Sequence, residues 1–274
     1  FLGDMFDGVQ CPCILLQLIA TGKPLSTAGM MIEDRTRTYT IAMERTVVPE
    51  NFSFRMTDEE YRVLEKIKNS IPVCYLADHA DFALGIVTGN NKKFLSAEKT
   101  ENSEMVLKGT DICKYHINPV KQYLRFEPEQ FQQVAPLEIY RAPEKLLYRF
   151  ISNQLVVAYD DRQMLSLNSC NIVIPKIEGM QIKYILAILN SSVSQFVYQK
   201  EFHSIKVLRA HMEHIPIPRV GKAIQNEIIA MTEPLICGMG KEAAETCQKR
   251  LDCRIMDLFR LSAEEQWIIR HALH

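Results

Sequence analysis

The sequence of 274 residues contains no apolar run close to the ~20 residues that a membrane-spanning helix needs. Its longest apolar stretch, Cys13 to Ala20, is interrupted by Gln17, and we predict a buried strand over residues 9–20. No basic stretch leads into an apolar one, and the first residue is Phe. We therefore expect no signal peptide, a chain cut from a longer protein, and a cytoplasmic location with no membrane contact.

Motifs for a metal site or a disulfide framework are also missing. The eight cysteines lie inside apolar patterns of a chain too long to need disulfide support. Cys11 and Cys13 are too close together for a zinc knuckle, and the three cysteines of the C-terminal region have no fourth ligand at a standard spacing. We predict reduced, partly buried thiols and no structural metal.

Catalytic motifs are absent as well. An amino-methyltransferase needs a Gly-containing donor turn and an Asn/Asp-Pro-Pro-Tyr/Phe loop, whereas Asn118-Pro119-Val120 supplies only the first two residues of such a loop. Dinucleotide and phosphate-loop fingerprints are missing too. Asp160 and Asp161 are adjacent and would point in opposite directions in an extended segment, so we predict a hairpin turn there. The sequence thus predicts no catalytic residue and no bound cofactor in this chain.

The charge distribution is uneven although the formal net charge is only −1. Residues 86–219 carry seventeen Lys and Arg against thirteen Asp and Glu, whereas residues 1–85 carry eight against twelve. Residues 220–274 carry seven against eight. A basic middle third permits binding to nucleic acid without demonstrating it, because DNA-binding modules usually have a clearer basic face.

Hydrophobic periodicity and capping signals predict an α+β fold with a curved, mainly antiparallel sheet, packed helices and a C-terminal helical segment. Two capping boxes, Thr57 to Glu60 and Ser262 to Glu265, each predict the start of a helix. The predicted strands are 38–48, 82–87, 105–107 and 123–126, with a hairpin formed by 155–159 and 164–175. The predicted helices follow Thr57, begin near Pro143, and cover 182–197, 223–237, 243–259 and the residues after Ser262.

Four short signatures follow one another along the chain. They are Gly85-Ile86-Val87-Thr88-Gly89-Asn90, Leu107-Lys108-Gly109-Thr110-Asp111-Ile112, Ala187-Ile188-Leu189-Asn190-Ser191-Ser192 and His214-Ile215-Pro216-Ile217-Pro218. Their order and spacing resemble the DNA-reading half of TaqI-like adenine-N6 methyltransferases, and the C-terminal helices resemble the tail of large single-chain restriction-modification enzymes.

The resemblance implies three parts and a set of partners. Residues 1–72 would be the end of a methyltransferase domain with a linker helix, 73–219 a target recognition domain, and 220–274 a helical segment. The expected partners are double-stranded DNA and the missing N-terminal methyltransferase domain. S-adenosylmethionine is expected only for the parent enzyme, which would methylate adenine and in some members also cut DNA.

The resemblance and the residue types together suggest which side chains contact DNA. A polar turn with Gly89 could approach phosphate closely, and Asn can pair with adenine through two hydrogen bonds. An ordinary Gly-Asn turn and a solvated basic surface explain the same residues without any ligand. The candidates are Thr88, Asn90, Asn91, Lys92, Lys93, Lys108, Thr110, Lys114, Arg141, Lys145, Lys200, His203, Lys206 and Arg209, with Arg141, Lys145 and Arg149 at helical spacing.

Two hypotheses for function remain open from the sequence. The first is sequence-specific recognition of duplex DNA as the specificity part of a larger enzyme. The alternative is a protein docking module of a restriction or phage-defence complex, which would use the apolar tail with Leu258, Phe259, Trp267 and Ile268. A core role for that tail is equally compatible with its helical periodicity.

Overall fold

The computed structural model describes residues 2–5, 7–8, 12–17, 19, 22, 26–34, 37–45, 54–202 and 204–273. These residues form two compact units, Phe1–Glu65 and Lys66–His274. Mixed helices and largely antiparallel strands confirm the predicted α+β class. The three-part division at residues 72 and 219 stays a prediction.

The helices and strands are numbered in chain order. The strands are β1 (Gly3–Asp4), β2 (Pro12–Cys13), β3 (Met30–Glu33), β4 (Thr38–Ile41), β5 (Val73–Cys74), β6 (Ala80–Ala83), β7 (Leu95–Ser96), β8 (Ser103–Leu107), β9 (Tyr123–Arg125), β10 (Lys145–Arg149), β11 (Val157–Asp160), β12 (Leu165–Ser166), β13 (Cys170–Pro175) and β14 (Ile217–Pro218). The helices are α1 (Asp58–Asn69), α2 (Asn91–Phe94), α3 (Leu137–Tyr140), α4 (Ile182–Asn190), α5 (Ser192–Glu201), α6 (Arg209–Glu213), α7 (Lys222–Ile236), α8 (Lys241–Leu258) and α9 (Ala263–Ala272).

The first unit is built around the antiparallel pair β3–β4. Alternation along these strands buries Ile32 and Ile41 against Phe54. The Tyr39 hydroxyl donates to the Phe54 carbonyl at 2.6 Å, which holds the following segment against the hairpin. The predicted strand 38–48 is therefore found in its first four residues, and residues 46–48 lie outside the described part.

The prediction of a buried strand over residues 9–20 is wrong for the part that the structure describes. Only Pro12–Cys13 is a strand, and the side chains of Ile14, Leu15 and Ile19 are 55%, 81% and 76% exposed. A run of apolar residues becomes buried only where a second layer of structure lies over it. These side chains instead form an exposed apolar segment in the first unit.

Two four-stranded sheets organise the second unit. One is fully antiparallel, in the order β11-β10-β13-β6. The other has the order β12-β8-β9-β7, in which only the β12–β8 pair is parallel. One apolar core contains residues of both sheets, among them Leu107, Leu124 and Leu147. Helix α4 packs against β10 and β11, so β10 is buried on both faces.

Two predictions for residues 143–175 are wrong, and both fail because of β10. The segment Lys145–Arg149 is a strand rather than a helix, since a central strand buried on both faces has consecutive apolar residues instead of alternating ones. The two arms of the predicted hairpin are strands, but β11 and β13 both pair with β10, which lies between them. Strand pairing depends on this third segment, and local sequence does not reveal it.

The predicted helix over residues 182–197 is two helices, α4 and α5, separated at Ser191. Ser191 has an extended backbone and its side chain accepts a hydrogen bond from the Ser194 N–H at 3.2 Å, which caps α5. Serine competes with the backbone for hydrogen bonds and so favours such a cap over a continuous helix. The break places Ser192 against Asp252 of α8, to which its amide and hydroxyl both donate.

Both predicted capping boxes are confirmed. The Thr57 N–H donates to Glu60 Oε2 at 2.8 Å and the Glu60 N–H donates to Thr57 Oγ1 at 3.3 Å. Ser262 and Glu265 repeat this reciprocal pair at the start of α9. The predicted tail helices also exist as α7 and α8, and they pack on each other while α4 contacts α7.

Candidate nucleic-acid interface

The turn after β6 is held close to the sheet by Gly85. A Cβ at this position would lie 2.1 Å from the Leu167 carbonyl oxygen, so only glycine permits this approach. Farther along, Gly89 has a φ of +75°, and Asn90 caps the short helix α2 by accepting from the Lys93 N–H at 3.2 Å. The turn therefore presents exposed side chains at residues 90–93 on a fixed backbone.

A glutamine-rich segment lies beside this turn. Gln133 forms backbone hydrogen bonds with Val87, and the Lys93 ammonium is 3.4 Å from Gln130 Oε1. Gln132 lies within 4 Å of the position that a Cβ of Gly89 would occupy. The three glutamines are exposed, and glutamine pairs with adenine in the major groove through two hydrogen bonds. Sequence reasoning missed them, since glutamines on both sides of Phe131 resemble an ordinary loop.

An open groove of about 690 Å³ continues from this segment. Phe82 of β6, Tyr148 of β10 and Gln133 line it, and the Arg209 guanidinium lies over the Phe82 ring at 5.2 Å. Arg209 also pairs with Glu213 at 2.7 Å, and this hydrogen bond raises the pKa of Arg209. The groove is therefore polar at one end and aromatic along its wall, but its arginine is already paired.

Lys206 lies beside the end of β10, the strand that contributes Tyr148 to the groove. The Val207 N–H donates to the Phe150 carbonyl and the Ser152 N–H to the Ile205 carbonyl, which joins residues 205–207 to the end of β10. The Lys206 ammonium is 5.9 Å from the Phe150 ring centroid and its side chain is exposed. We use the term groove surface for residues 89–93, the three glutamines, the groove lining, Lys206 and Arg209.

The turn at residues 108–111 is linked to this region through Ser169. The Gly109 N–H donates to Ser169 Oγ at 2.9 Å, and the Phe150 N–H donates to the Ser169 carbonyl at 3.0 Å. A Cβ on Gly109 would lie 2.6 Å from that carbonyl oxygen, so this glycine also permits close backbone contact. Lys108 and Thr110 are exposed on the outside of the turn.

Several other candidates lie apart from the groove surface. Lys145 and Lys200 are buried, Lys145 completely, and the Lys200 ammonium lies 5.8 Å from the Phe196 ring centroid. Arg141 pairs with Glu104 at 2.7 Å and donates to the Gln163 carbonyl. Lys114 is partly buried and donates to the Asn190 carbonyl at 3.3 Å. His203 lies outside the described residues.

Lys145 forms a buried ion pair with Asp160, which sequence reasoning placed in a hairpin turn. The two atoms Nζ and Oδ2 are 2.5 Å apart, and neither side chain has any exposed surface. Burial lowers the pKa of Lys145, and the adjacent carboxylate acts in the opposite direction. Asp160 also accepts from the Arg162 and Met164 N–H groups. The pair thus links β10 to the end of β11 and serves the fold.

Within the described ranges, no group of three His, Cys, Asp or Glu side chains is arranged to hold a metal ion. The seven cysteines of the described part form no disulfide, and Cys11 lies outside it. No helix in the described part is long and apolar enough to cross a bilayer. The described surface thus offers exposed cations and amides in place of a metal centre.

One protein family is similar to the central part of the chain. The family described as the TaqI-like C-terminal specificity domain matches residues 104–217. Residues 104–217 are therefore similar to a TaqI-like C-terminal specificity domain, and we call them the specificity domain. The specificity domain contains the turn at Lys108, the glutamine segment, Lys206 and Arg209, whereas the turn at 89–93 precedes the matched range.

The chain is also similar to several solved structures at low identity. A structure of a type I restriction-modification system is 14% identical over 79% of this chain and 52% of that chain, with a TM-score of 0.43. The structure of the type IIL enzyme MmeI in complex with DNA is 11% identical over 73% of this chain and 35% of that chain, with a TM-score of 0.48. The HsdS subunit from Thermoanaerobacter tengcongensis is 15% identical over 79% of this chain and 50% of that chain, with a TM-score of 0.40.

This chain spans between about a third and about half the length of these solved chains. No curated protein matches it.

Proposed function

We propose that this chain binds duplex DNA through the groove surface and reads a target sequence for a restriction-modification enzyme. The match of residues 104–217 to the specificity family carries the proposal. The exposed ammonium groups of Lys92, Lys93 and Lys206 support it, since they have no ion-pair partner among the described residues. Asn91, Gln132 and Gln133 supply amides for base edges.

The ion pairs of the surface indicate which cations contact phosphate. Arg209 would have to leave Glu213 before binding a phosphate, which offsets part of the gain. The three exposed lysines carry no such cost. We therefore assign phosphate contacts to Lys92, Lys93 and Lys206, and assign Arg209 a stacking role over Phe82 at the groove wall.

A salt titration tests this proposal. Each phosphate contact contributes about 0.9 to the slope of log Kobs against log salt concentration. For the 274-residue chain and a fluorescent duplex, changing Lys92, Lys93 and Lys206 to Ala should reduce that slope by about 0.9 per lysine. The loss should be the same on all sequences, because phosphate contacts carry no sequence information.

Lys222→Ala is the matched control, because Lys222 is exposed at the start of α7 and lies outside the specificity domain. Its slope should equal that of the unmodified chain. An unchanged slope in the triple variant would remove all three lysines from the interface. Absence of any duplex binding at low salt would remove the proposed function itself.

The wider enzyme is part of the same proposal. The resemblance of the four signatures favours a parent protein that transfers a methyl group from S-adenosylmethionine to the N6 atom of adenine. That cofactor and the catalytic residues would belong to an N-terminal methyltransferase domain outside these 274 residues. The role of the present residues is then to hold and position the duplex. A cytoplasmic location fits this function.

Protein docking is the second candidate function, and the exposed side chains of Ile14, Leu15 and Ile19 favour it. Exposed apolar groups that lie close together in a soluble unit commonly mark a contact surface. We propose that the methyltransferase domain covers them. In light scattering, Leu15→Lys combined with Ile19→Lys should lower any self-association of the chain without changing duplex affinity. Self-association that persists unchanged would show that these side chains do not form the contact between copies of the isolated chain.

A further inference from the structure

A second cavity, of about 590 Å³, lies between the specificity domain and the helical tail. Residues 113–116 form one wall. The C-terminal end of α7 and the first half of α8 form the other. The tail and the turn are close there, because a Cβ on Gly238 would lie 4.0 Å from His116. We use the term Lys114 cavity for this space. It shares no lining residue with the groove surface.

Tyr115 and Gln248 close one side of this wall, and both residues line the cavity. The Tyr115 side chain is buried, with only 2% of the residue exposed. Burial raises the pKa of Tyr115, and a hydrogen bond with the Gln248 side chain acts in the opposite direction. The two side chains therefore contact each other as part of the wall.

Tyr115 is held in place by its backbone. It has a φ of +73°, which is rare for a bulky residue. Its N–H donates to the Val157 carbonyl at 2.7 Å, and its carbonyl accepts from the Tyr159 N–H at 3.1 Å. These bonds to β11 fix the tyrosine, and the neighbouring residue Lys114, at the cavity wall.

Lys114 gives the cavity its charge preference. Its ammonium donates to the Asn190 carbonyl and has no other hydrogen-bond partner among the described residues. Burial lowers its pKa, and the charge of Asp252 acts in the opposite direction. Both oxygens of Asp252 accept from Ser192, and no ion pair joins Asp252 to Lys114 among the described residues. Lys241 and Lys249 also line the space, against the single carboxylate of Glu245.

The rest of the lining is apolar and includes Leu235, Met239 and Ala244. A pocket that combines the partly buried Lys114 ammonium with an apolar wall suits a ligand that has both an acidic group and an apolar body. We propose that the Lys114 cavity binds a small organic anion whose acidic group meets Lys114 and whose apolar body lies against α7 and α8. Such a ligand would connect the specificity domain to the helical tail.

An isosteric pair of probes tests the proposal on the 274-residue chain. The anion 2-naphthoate and the neutral 2-naphthamide share one apolar body and differ in charge. With methyl-labelled methionine, NMR follows the Met239 methyl group, which Met239→Leu identifies. We expect 2-naphthoate to shift this signal and to bind at least about tenfold more tightly than 2-naphthamide, as a charge-assisted hydrogen bond predicts.

Two variants and one control complete the test. Lys114→Met should abolish the preference for the anion, and Ala244→Phe should abolish binding of both probes by filling the cavity. Lys121→Met is the matched control, since Lys121 is exposed in the same domain and does not line the cavity. Equal affinities for the two probes, a Met239 signal that does not move, or a preference that survives in Lys114→Met would overturn the proposal.

Discussion

Replacing Asp160 with Ala should lower the free energy of unfolding by about 3–5 kcal/mol, the largest effect that we expect from a single substitution. The variant leaves the fully buried Lys145 ammonium with only the Tyr140 carbonyl as a partner. It also removes the acceptor of two backbone N–H groups, those of Arg162 and Met164. Urea unfolding followed by circular dichroism measures the loss.

Two controls separate the unpaired charge from a general sensitivity of this segment. Asp161→Ala changes the exposed neighbour and should alter stability by no more than about 0.5 kcal/mol. The double variant Lys145→Met with Asp160→Leu removes both charges and should recover much of the loss, since apolar replacements of a buried pair are often neutral. A double variant as unstable as Asp160→Ala would show that the backbone bonds of Asp160 matter more than its charge.

Replacing Asn190 with Ala should lower the free energy of unfolding by about 2–3 kcal/mol. Asn190 lies in the last turn of α4 and is 1% exposed. Its Oδ1 accepts from the Val157 N–H at 3.1 Å, and its Nδ2 donates to the Val157 carbonyl at 2.8 Å. The truncated variant leaves the Val157 N–H buried without this acceptor and weakens the attachment of α4 to β11.

Asn153→Ala is the matched control, because Asn153 is exposed close to the start of β11. Its change should stay within about 0.5 kcal/mol. Thermal unfolding of both variants under the same conditions gives the comparison. Equal small losses for Asn190→Ala and Asn153→Ala would mean that apolar packing alone attaches the helix to the sheet.

The four signatures are explained mainly by the fold. Gly85 and Gly109 permit close backbone contacts with Leu167 and Ser169. Asn190 attaches α4 to β11, and Ile217 pairs with Cys74 of β5. Such positions constrain residue type strongly, because a Cβ or a missing amide would break a contact. The sequence likeness therefore recognised the scaffold, and the DNA contacts had to be inferred separately.

The candidate site could be predicted only in part, for the same reason. Charge and residue type selected fourteen candidates, but they cannot distinguish an exposed lysine from a buried one. The structure exposes Lys92 and Lys206, buries Lys145 completely and buries Lys114 in part. The glutamine segment escaped notice because uncharged amides carry no signal of their own until the fold brings them beside the turn at Gly89.

Local information in the sequence alone determined the α+β class, the capping boxes of α1 and α9, the tail helices and the signatures of the specificity family. These features depend on neighbouring residues, through hydrogen bonds and periodicity that span a few positions. Only the tertiary structure decided that β10 lies between β11 and β13, that Lys145 meets Asp160, and that Lys114 faces a cavity. Those outcomes depend on contacts between distant segments, and the pattern of any one segment does not contain them.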